Sequence, residues 1–238
     1  MRLTRCYTRQ PLVPGDTVAL NEAAERHLVR VLRLAPGDPV VLFNGDGSDY
    51  RARLTATDKR QARARIETRV AAAPEPTLRV TLLQAVARGE RMDWALQKAT
   101  ELGVAAVRLL LTERVEVRLD QARLNKRMRH WQRVIVSACE QSGRAVLPDL
   151  HPPMPLADDG GVVLPDPCLV LDAAAAAGLC AAVGTAMECG VVVGPEGGLT
   201  ESEYALLDRR GAQRVGLGPR TLRTETAGPA ALAVLLLR

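Results

Sequence analysis

Aromatic side chains are nearly missing from this chain: Phe43, Trp94, Trp131, Tyr7, Tyr50 and Tyr204 are all it has in 238 residues. A core of stacked rings is excluded, so the 47 % of apolar residues must fill the interior with Ala, Val and Leu, as layered helices and strands do. Histidine is scarce as well. His27, His130 and His151 have no metal-ligand spacing and no companion Ser or Cys motif, which points to surface or capping roles. Cys6, Cys139, Cys168, Cys180 and Cys189 are odd in number, widely spaced and free of any CxxC pair, which argues against zinc and against a disulfide framework. No metal is expected. No apolar stretch follows the first basic residues, and no uncharged apolar run reaches the roughly 18 residues of a membrane span. A soluble, cytoplasmic protein is the expectation.

Positive charge is present in excess, and its placement is informative. Residues 1 to 73 hold 13 Lys and Arg against 8 Asp and Glu, whereas the remainder holds 19 of each sign. A local surplus of cations suits a polyanion such as RNA, although a solvated arginine-rich face would look the same.

The length suits two modest domains, and the pattern changes where they would meet. Residues 1–73 read as short strands: 16 to 20, 39 to 43, 50 to 55 after the Gly45-Asp-Gly-Ser turn, and the alternating 62 to 69. One helix interrupts them from Glu22 to Leu34, with Asn21 as its cap and Leu28, Val31 and Leu32 on one side. A small β-barrel is expected. The Ala-Ala-Ala-Pro-Glu-Pro stretch at 71 to 76 reads as a linker. Residues 74–238 then alternate strands and helices: strand 78 to 86, helix 91 to 102 closed by Gly103, strand 107 to 111, and a long helix from Gln121 to Gln141. A loop rich in Pro and Gly from 148 to 167 precedes strands at 168 to 171 and 190 to 193, which bracket an Ala-rich helix. Such alternation builds a parallel sheet in an α/β fold.

Two glycine-rich segments carry the chemistry. Gly194-Pro-Glu-Gly-Gly198 joins an apolar strand to a helix whose Thr200 and Glu203 form a capping box. Strand-to-helix junctions at the carboxyl edge of parallel sheets are where α/β proteins bind ligands, and glycine lets a ligand approach the backbone. The loop is neither a dinucleotide nor a phosphate fingerprint, and a tight connection without a ligand is its bland alternative. The second segment, Val215-Gly-Leu-Gly218, ends another strand and leads to Arg220, Arg223, Glu225 and Thr226. Glycines at two strand ends can meet around one ligand, with the arginines as donors to negative charge or, alternatively, Arg223 in a structural pair with Glu225. The tail from Ala227 to Leu237 reads as a closing helix with Pro229 in its first turn. Glu140, Gln141 and Arg144 end the long helix, as a cap or as the wall of a polar site.

With QKATELGV at 97 to 104, CEQSGR at 139 to 144, HLVRVLRLAPGD at 27 to 38 and GDGSDY at 45 to 50, these segments resemble the ribosomal RNA small subunit methyltransferase E family, of the SPOUT class, over nearly the whole length. The resemblance implies a homodimer that uses S-adenosylmethionine to methylate N3 of a uridine in 16S rRNA of the small ribosomal subunit. It implies residues 1–73 as a PUA-like β-barrel that binds RNA and residues 74–238 as an α/β domain with a parallel sheet and a C-terminal trefoil knot, which pattern reading would not supply. Leu171, Gly194, Glu196, Gly198, Leu217, Gly218 and Leu222 would then wrap the cofactor, with Arg5, His27, Arg30, Arg33 and Arg88 on RNA. Arg223 would orient the base and stabilise its anion, and Glu225 or Glu140 would take the proton. Thr221, Leu199 and Arg88 depart from the family's usual aliphatic, aromatic and lysine, which touches substrate contacts more than activity. Two other readings stand beside this one: a SPOUT enzyme acting on another RNA, such as a tRNA ribose 2′-hydroxyl, and an RNA-binding module without catalysis.

Overall fold

Alternation of apolar and charged residues in the first seventy positions resolves into five strands: β1 (Arg5–Tyr7), β2 (Thr17–Ala19), β3 (Pro39–Phe43), β4 (Ser48–Asp58) and β5 (Gln61–Ala71). The computed structural model describes residues 3–58, 61–115, 121–157 and 161–237. These strands form one sheet in the order β1-β3-β4-β5-β2, antiparallel except for the β1–β3 pair. Tyr50, Ala52 and Leu54 of β4 and Ala62, Ala64 and Ile66 of β5 point inward onto Leu12, Leu20, Leu28 and Leu42. Arg51, Arg53, Arg63 and Arg65 occupy the alternate, exposed positions. The sheet therefore curls as an open barrel around a core without a large aromatic cluster.

The helix in this unit differs from its expected form. Asn21 caps it, accepting from the Ala24 N–H at 2.9 Å, but α1 (Glu22–Glu25) is a single α-turn. From Arg26 to Val31 the backbone widens into a π-helix, with the Leu32 N–H donating to the His27 carbonyl five residues back. That wider turn breaks the three-and-four spacing. Leu28 is fully buried while Val31 is 64 % and Leu32 41 % exposed, so the three do not share one face.

The second pattern forms a six-stranded, wholly parallel sheet from β6 (Arg79–Ala85), β7 (Ala106–Leu111), β8 (Asp149–Pro155), β9 (Cys168–Leu171), β10 (Glu188–Val193) and β11 (Gln213–Val215), in the order β11-β9-β10-β6-β7-β8. The helices are α2 (Glu90–Leu102), α3 (Gln121–Ser142), α4 (Leu179–Val183), α5 (Glu201–Arg209) and α6 (Thr224–Leu236). Met92, Leu96 and Ala99 bury one face of α2, and Gly103 ends it at φ 99°, a left-handed backbone that favours glycine. The Ala-rich stretch before β10 is helical only at α4; Ala173 to Ala177 lie outside it. Within the Pro- and Gly-rich segment 148 to 167, β8 forms at the sheet's edge, where Pro152, Pro153 and Pro155 are tolerated because no further strand needs their N–H groups. Residues 136–147, the end of α3 and the turn after it, cluster with the first unit rather than the second.

Beyond β11, at the opposite edge, the chain turns back. Thr224 Oγ1 donates to the Gly194 carbonyl at 2.7 Å and accepts from Gln84 Nε2 at 2.9 Å, and α6 then packs on α2, β6 and β10. A knotted path requires a return of this kind across earlier strands. α6 begins three residues before the expected Ala227, so Pro229 lies inside it. Lacking an N–H, Pro229 cannot bond the Glu225 carbonyl one turn back.

The cysteines are free, as expected, and all but Cys180 are buried. Burial pushes the Cys6 and Cys168 thiols up to about 12 and that of Cys139 to about 11. Alkylation of the folded protein at neutral pH is expected to modify Cys180 alone, rising to all five after unfolding, as counted by intact mass. No helix among the described residues is long and apolar enough to cross a membrane.

Candidate active site

Three strands deliver the walls of one cavity. Leu171 closes β9, Gly194 follows β10, and Leu217 and Gly218 follow β11, all at the carboxyl edge of the parallel sheet. The order β11-β9-β10-β6-β7-β8 sets β9, β10 and β11 side by side, so their ends and the loops after them enclose one crevice. The cavity there measures about 510 Å³, the size of a small-molecule site.

Its shape follows from local sequence. The turn at 195 to 198 is closed by the Gly198 N–H donating to the Pro195 carbonyl at 2.9 Å, and Gly198 takes φ 71°. Thr200 and Glu203 cap α5 reciprocally, as expected, and the buried Glu203 carboxylate also accepts from the Glu113 N–H at 2.9 Å. This fixes the turn against the segment that follows β7, two strands away in the sheet. On the other wall Gly218 takes φ 98°, and Gly216 donates its N–H to the Ala177 carbonyl at 2.9 Å.

All seven residues expected around a cofactor line this cavity: Leu171, Gly194, Glu196, Gly198, Leu217, Gly218 and Leu222. Arg223 and Glu225 line it too. Arg223 caps α6 with an extended backbone and is 78 % exposed at its side chain, whereas Glu225 is 13 % exposed in the first turn of that helix. One oxygen of Glu225, Oε1, lies 3.8 Å from Arg91 Nε and 4.0 Å from Arg223 NH1. The other, Oε2, is buried with no hydrogen-bond partner among the described residues. A buried carboxylate oxygen left unsatisfied costs about 1–3 kcal/mol.

Sequence reasoning missed Arg91, Asp172 and Tyr204, which share these walls. Arg91 NH1 donates to Glu196 Oε1 at 3.0 Å, and the Arg88 N–H reaches the same oxygen at 3.2 Å. Burial works against ionisation of Glu196, but backbone N–H bonds and the Arg91 guanidinium outweigh it and hold this carboxyl below its ordinary range. An acidic residue directly after a buried strand was the available signal for Asp172. Arg91 opens α2, far from both glycine segments in sequence, and carried no signal.

The remaining candidates lie elsewhere. Arg5, expected on RNA, is instead 8 % exposed and committed inside the first unit: it pairs with Asp49, donates to the Arg144 carbonyl at 2.9 Å and lies 4.8 Å over the Phe43 ring. Glu140, a candidate proton acceptor, also belongs to that unit, where its Oε1 accepts the Tyr7 N–H at 3.0 Å. Burial pushes its carboxyl up, opposed by the Tyr7 N–H, His27 and Arg5. Arg144 is buried against Glu75, so CEQSGR ties the end of α3 to β1 and the linker. His27, Arg30 and Arg33 are exposed on and after the π-helix, Arg33 at φ 56°, while Arg88 is exposed before α2. Sequence reasoning overlooked the outward Arg51, Arg53, Arg63 and Arg65, although RAR at 51 to 53 and again at 63 to 65 marked them. Arg53 stands directly across from Arg65, a like-charge pairing that Glu67 offsets by accepting from Arg53 Nε at 2.8 Å.

Two domain families match the chain: an RNA methyltransferase domain over residues 73–236 and an RNA methyltransferase PUA domain over residues 20–67. The ribosomal RNA small subunit methyltransferase E of Synechocystis is 34 % identical, with 91 % of this chain and 72 % of the relative covered. The protein of that name from Mycobacterium bovis is also 34 % identical, covering 88 % and 82 %. The solved structure of the Neisseria gonorrhoeae protein of that name, bound to S-adenosylmethionine, is 37 % identical and superposes with a TM-score of 0.89 over 98 % of this chain and 97 % of that one.

Proposed function

Because the chain belongs to the ribosomal RNA small subunit methyltransferase E family, we propose that it transfers a methyl group from S-adenosylmethionine to N3 of a uridine in 16S rRNA. The observation that carries this reading is the glycine-lined cavity at the carboxyl edge of the parallel sheet, which brings Glu225 together with Arg91 and Arg223.

The residues present fit the cofactor. Leu171, Leu217 and Leu222 offer apolar surface to a purine and a thioether chain, while the left-handed Gly198 and Gly218 leave backbone groups open to its polar edges. Glu196 and Glu225 place negative charge beside a cavity that must take a cation. When bound, S-adenosylmethionine supplies a methyl group on a positively charged sulfur, already activated for transfer.

The chain's task is then to make a poor nucleophile competent. Uracil N3 carries a proton, and Glu225 is the group that accepts it, leaving the lone pair on nitrogen. Arg91 and Arg223 keep Glu225 Oε1 turned toward themselves, and Arg223, on an exposed flexible stem, reaches a uracil oxygen to stabilise the developing anion. Glu140 is the weaker candidate because its Oε1 already serves Tyr7.

N3 lies on the pairing edge, so the uridine must be unpaired or extruded. Residues 1–73 grip the RNA through His27, Arg30, Arg33 and the outward strand arginines, with Arg88 doing so from residues 74–238, the methyltransferase domain. A homodimer working in the cytoplasm on the small subunit completes the reading. Nucleoside mass spectrometry of 16S rRNA from a strain lacking the gene, with and without complementation, is the test. Loss and return of one 3-methyluridine is expected, and an unchanged profile would refute the assignment.

A further inference from the structure

Behind the turn at 195 to 198 lies a second cavity of about 480 Å³, walled by Arg88, Arg91 and Arg114 together with Glu113 and Glu196. We propose that it receives a backbone phosphate of the RNA strand flanking the uridine in the first cavity. This rests on the reading of the chain as an RNA methyltransferase, and it adds the place where the acceptor strand is held.

The two cavities share Arg91 and Glu196, so whatever fills one is a neighbour of whatever fills the other. Three arginines border the second against two glutamates, and both carboxylates are engaged. Glu196 accepts from Arg91 NH1 and the Arg88 N–H, and Glu113 Oε1 accepts from Ser202 Oγ at 2.8 Å. Arg114 stands apart. Its NH1 donates to the Gly197 carbonyl at 2.6 Å, and among the described residues no carboxylate pairs with it. A guanidinium has five N–H donors, so most of this one remains for an anion.

Gly197 is part of the arrangement. A Cβ there would stand 3.3 Å from Arg114 Cδ, so the missing side chain is what lets the arginine stem lie along the turn. The ligand is an anion rather than a base, because the walls hold guanidinium groups and only Val86 and Val115 as apolar surface, with no ring for stacking.

The test compares wild type with Arg114→Gln and Arg114→Lys, measuring rRNA-fragment affinity across a salt series and S-adenosylmethionine affinity by calorimetry. For the glutamine variant, RNA affinity is expected to fall about tenfold at low salt, and the slope of log affinity against log salt to shrink by about 0.7, one phosphate contact on a single strand. Cofactor affinity should stay within about twofold, and the lysine variant should recover most of the slope. An unchanged slope would overturn the proposal. So would a loss confined to cofactor affinity, which would give the cavity to the cofactor's own carboxylate or reduce Arg114 to a prop for the turn. A wild-type protein that binds the cofactor and RNA yet methylates no rRNA would instead sink the underlying reading, because the salt slope is read from binding alone.

Discussion

Glu225→Gln is expected to slow methyl transfer by about a hundredfold or more while S-adenosylmethionine affinity changes by no more than a few-fold. The glutamine keeps the shape of a side chain that is 13 % exposed in the first turn of α6, but its amide cannot take a proton from N3. General bases contribute roughly 10²–10⁴ in rate, and that is the loss at stake. Single-turnover rates across a pH series separate this role from a structural one. The residual rate of the variant should climb steeply with pH as hydroxide takes over the proton, whereas wild type should already be fast at neutrality. A variant as fast as wild type at neutral pH, or one whose rate falls only in step with its cofactor affinity, would remove Glu225 from the mechanism.

The second large effect is at Gly216, where the chain leaving β11 presses on the loop leaving β9. A Cβ at this position would sit 2.5 Å from the Ala175 carbonyl oxygen, closer than real Cβ contacts come, and both sides of the clash are backbone. The Gly216 N–H is also bonded to the Ala177 carbonyl, so the two segments cannot separate without losing that bond. Gly216→Ala must therefore push the loop that carries Asp172 and Ala173, two residues of the cavity wall. A loss of about 1–3 kcal/mol in stability, read by urea unfolding, is expected from overpacking of this kind. Cofactor affinity should drop by about tenfold or more, since 1.4 kcal/mol is already a factor of ten. Gly178 provides the control. It pairs with Gly216 in an isolated bridge, has an ordinary extended backbone and has open space around a built Cβ, so Gly178→Ala should be close to neutral. Equal behaviour of the two variants would mean that the loop yields without cost.

The parts of this molecule that periodicity governs were legible in the sequence. Alternation at 50 to 55 and 62 to 69 marked β4 and β5, and the three-and-four spacing of Met92, Leu96 and Ala99 marked α2. What failed did so for identifiable reasons. The π-helix at Arg26–Val31 has a residue pattern that an α-helix would also satisfy, so the exposure of Val31 and Leu32 had no sign in the sequence. β8 was hidden because three prolines among seven residues read as loop unless the strand is known to be an edge.

The site divides in the same way. Its glycine walls were readable because strand ends and loops are contiguous in sequence. Arg91 was not, because it joins Glu196 and Glu225 across more than a hundred residues. Arg5 was misjudged for a related reason. One-dimensional reading counts charges but does not see that Asp49, Phe43 and the Arg144 carbonyl close around this one.

The prolines of β8 have a bearing on how the molecule behaves in a crowded solution. A parallel sheet ends in rows of unpaired peptide groups, each a template on which another extended chain can grow. Along β8 that template is interrupted, since Pro152, Pro153 and Pro155 have no N–H to offer a newcomer, and the register already slips between Arg108 and Leu110 of the strand beside it. The opposite margin, β11, is only three residues long, too short to seed a stable ribbon. Both margins thus discourage fibrous growth, and replacing the β8 prolines by valine would turn a blunted rim into an adhesive one without touching the glycine-lined cavity.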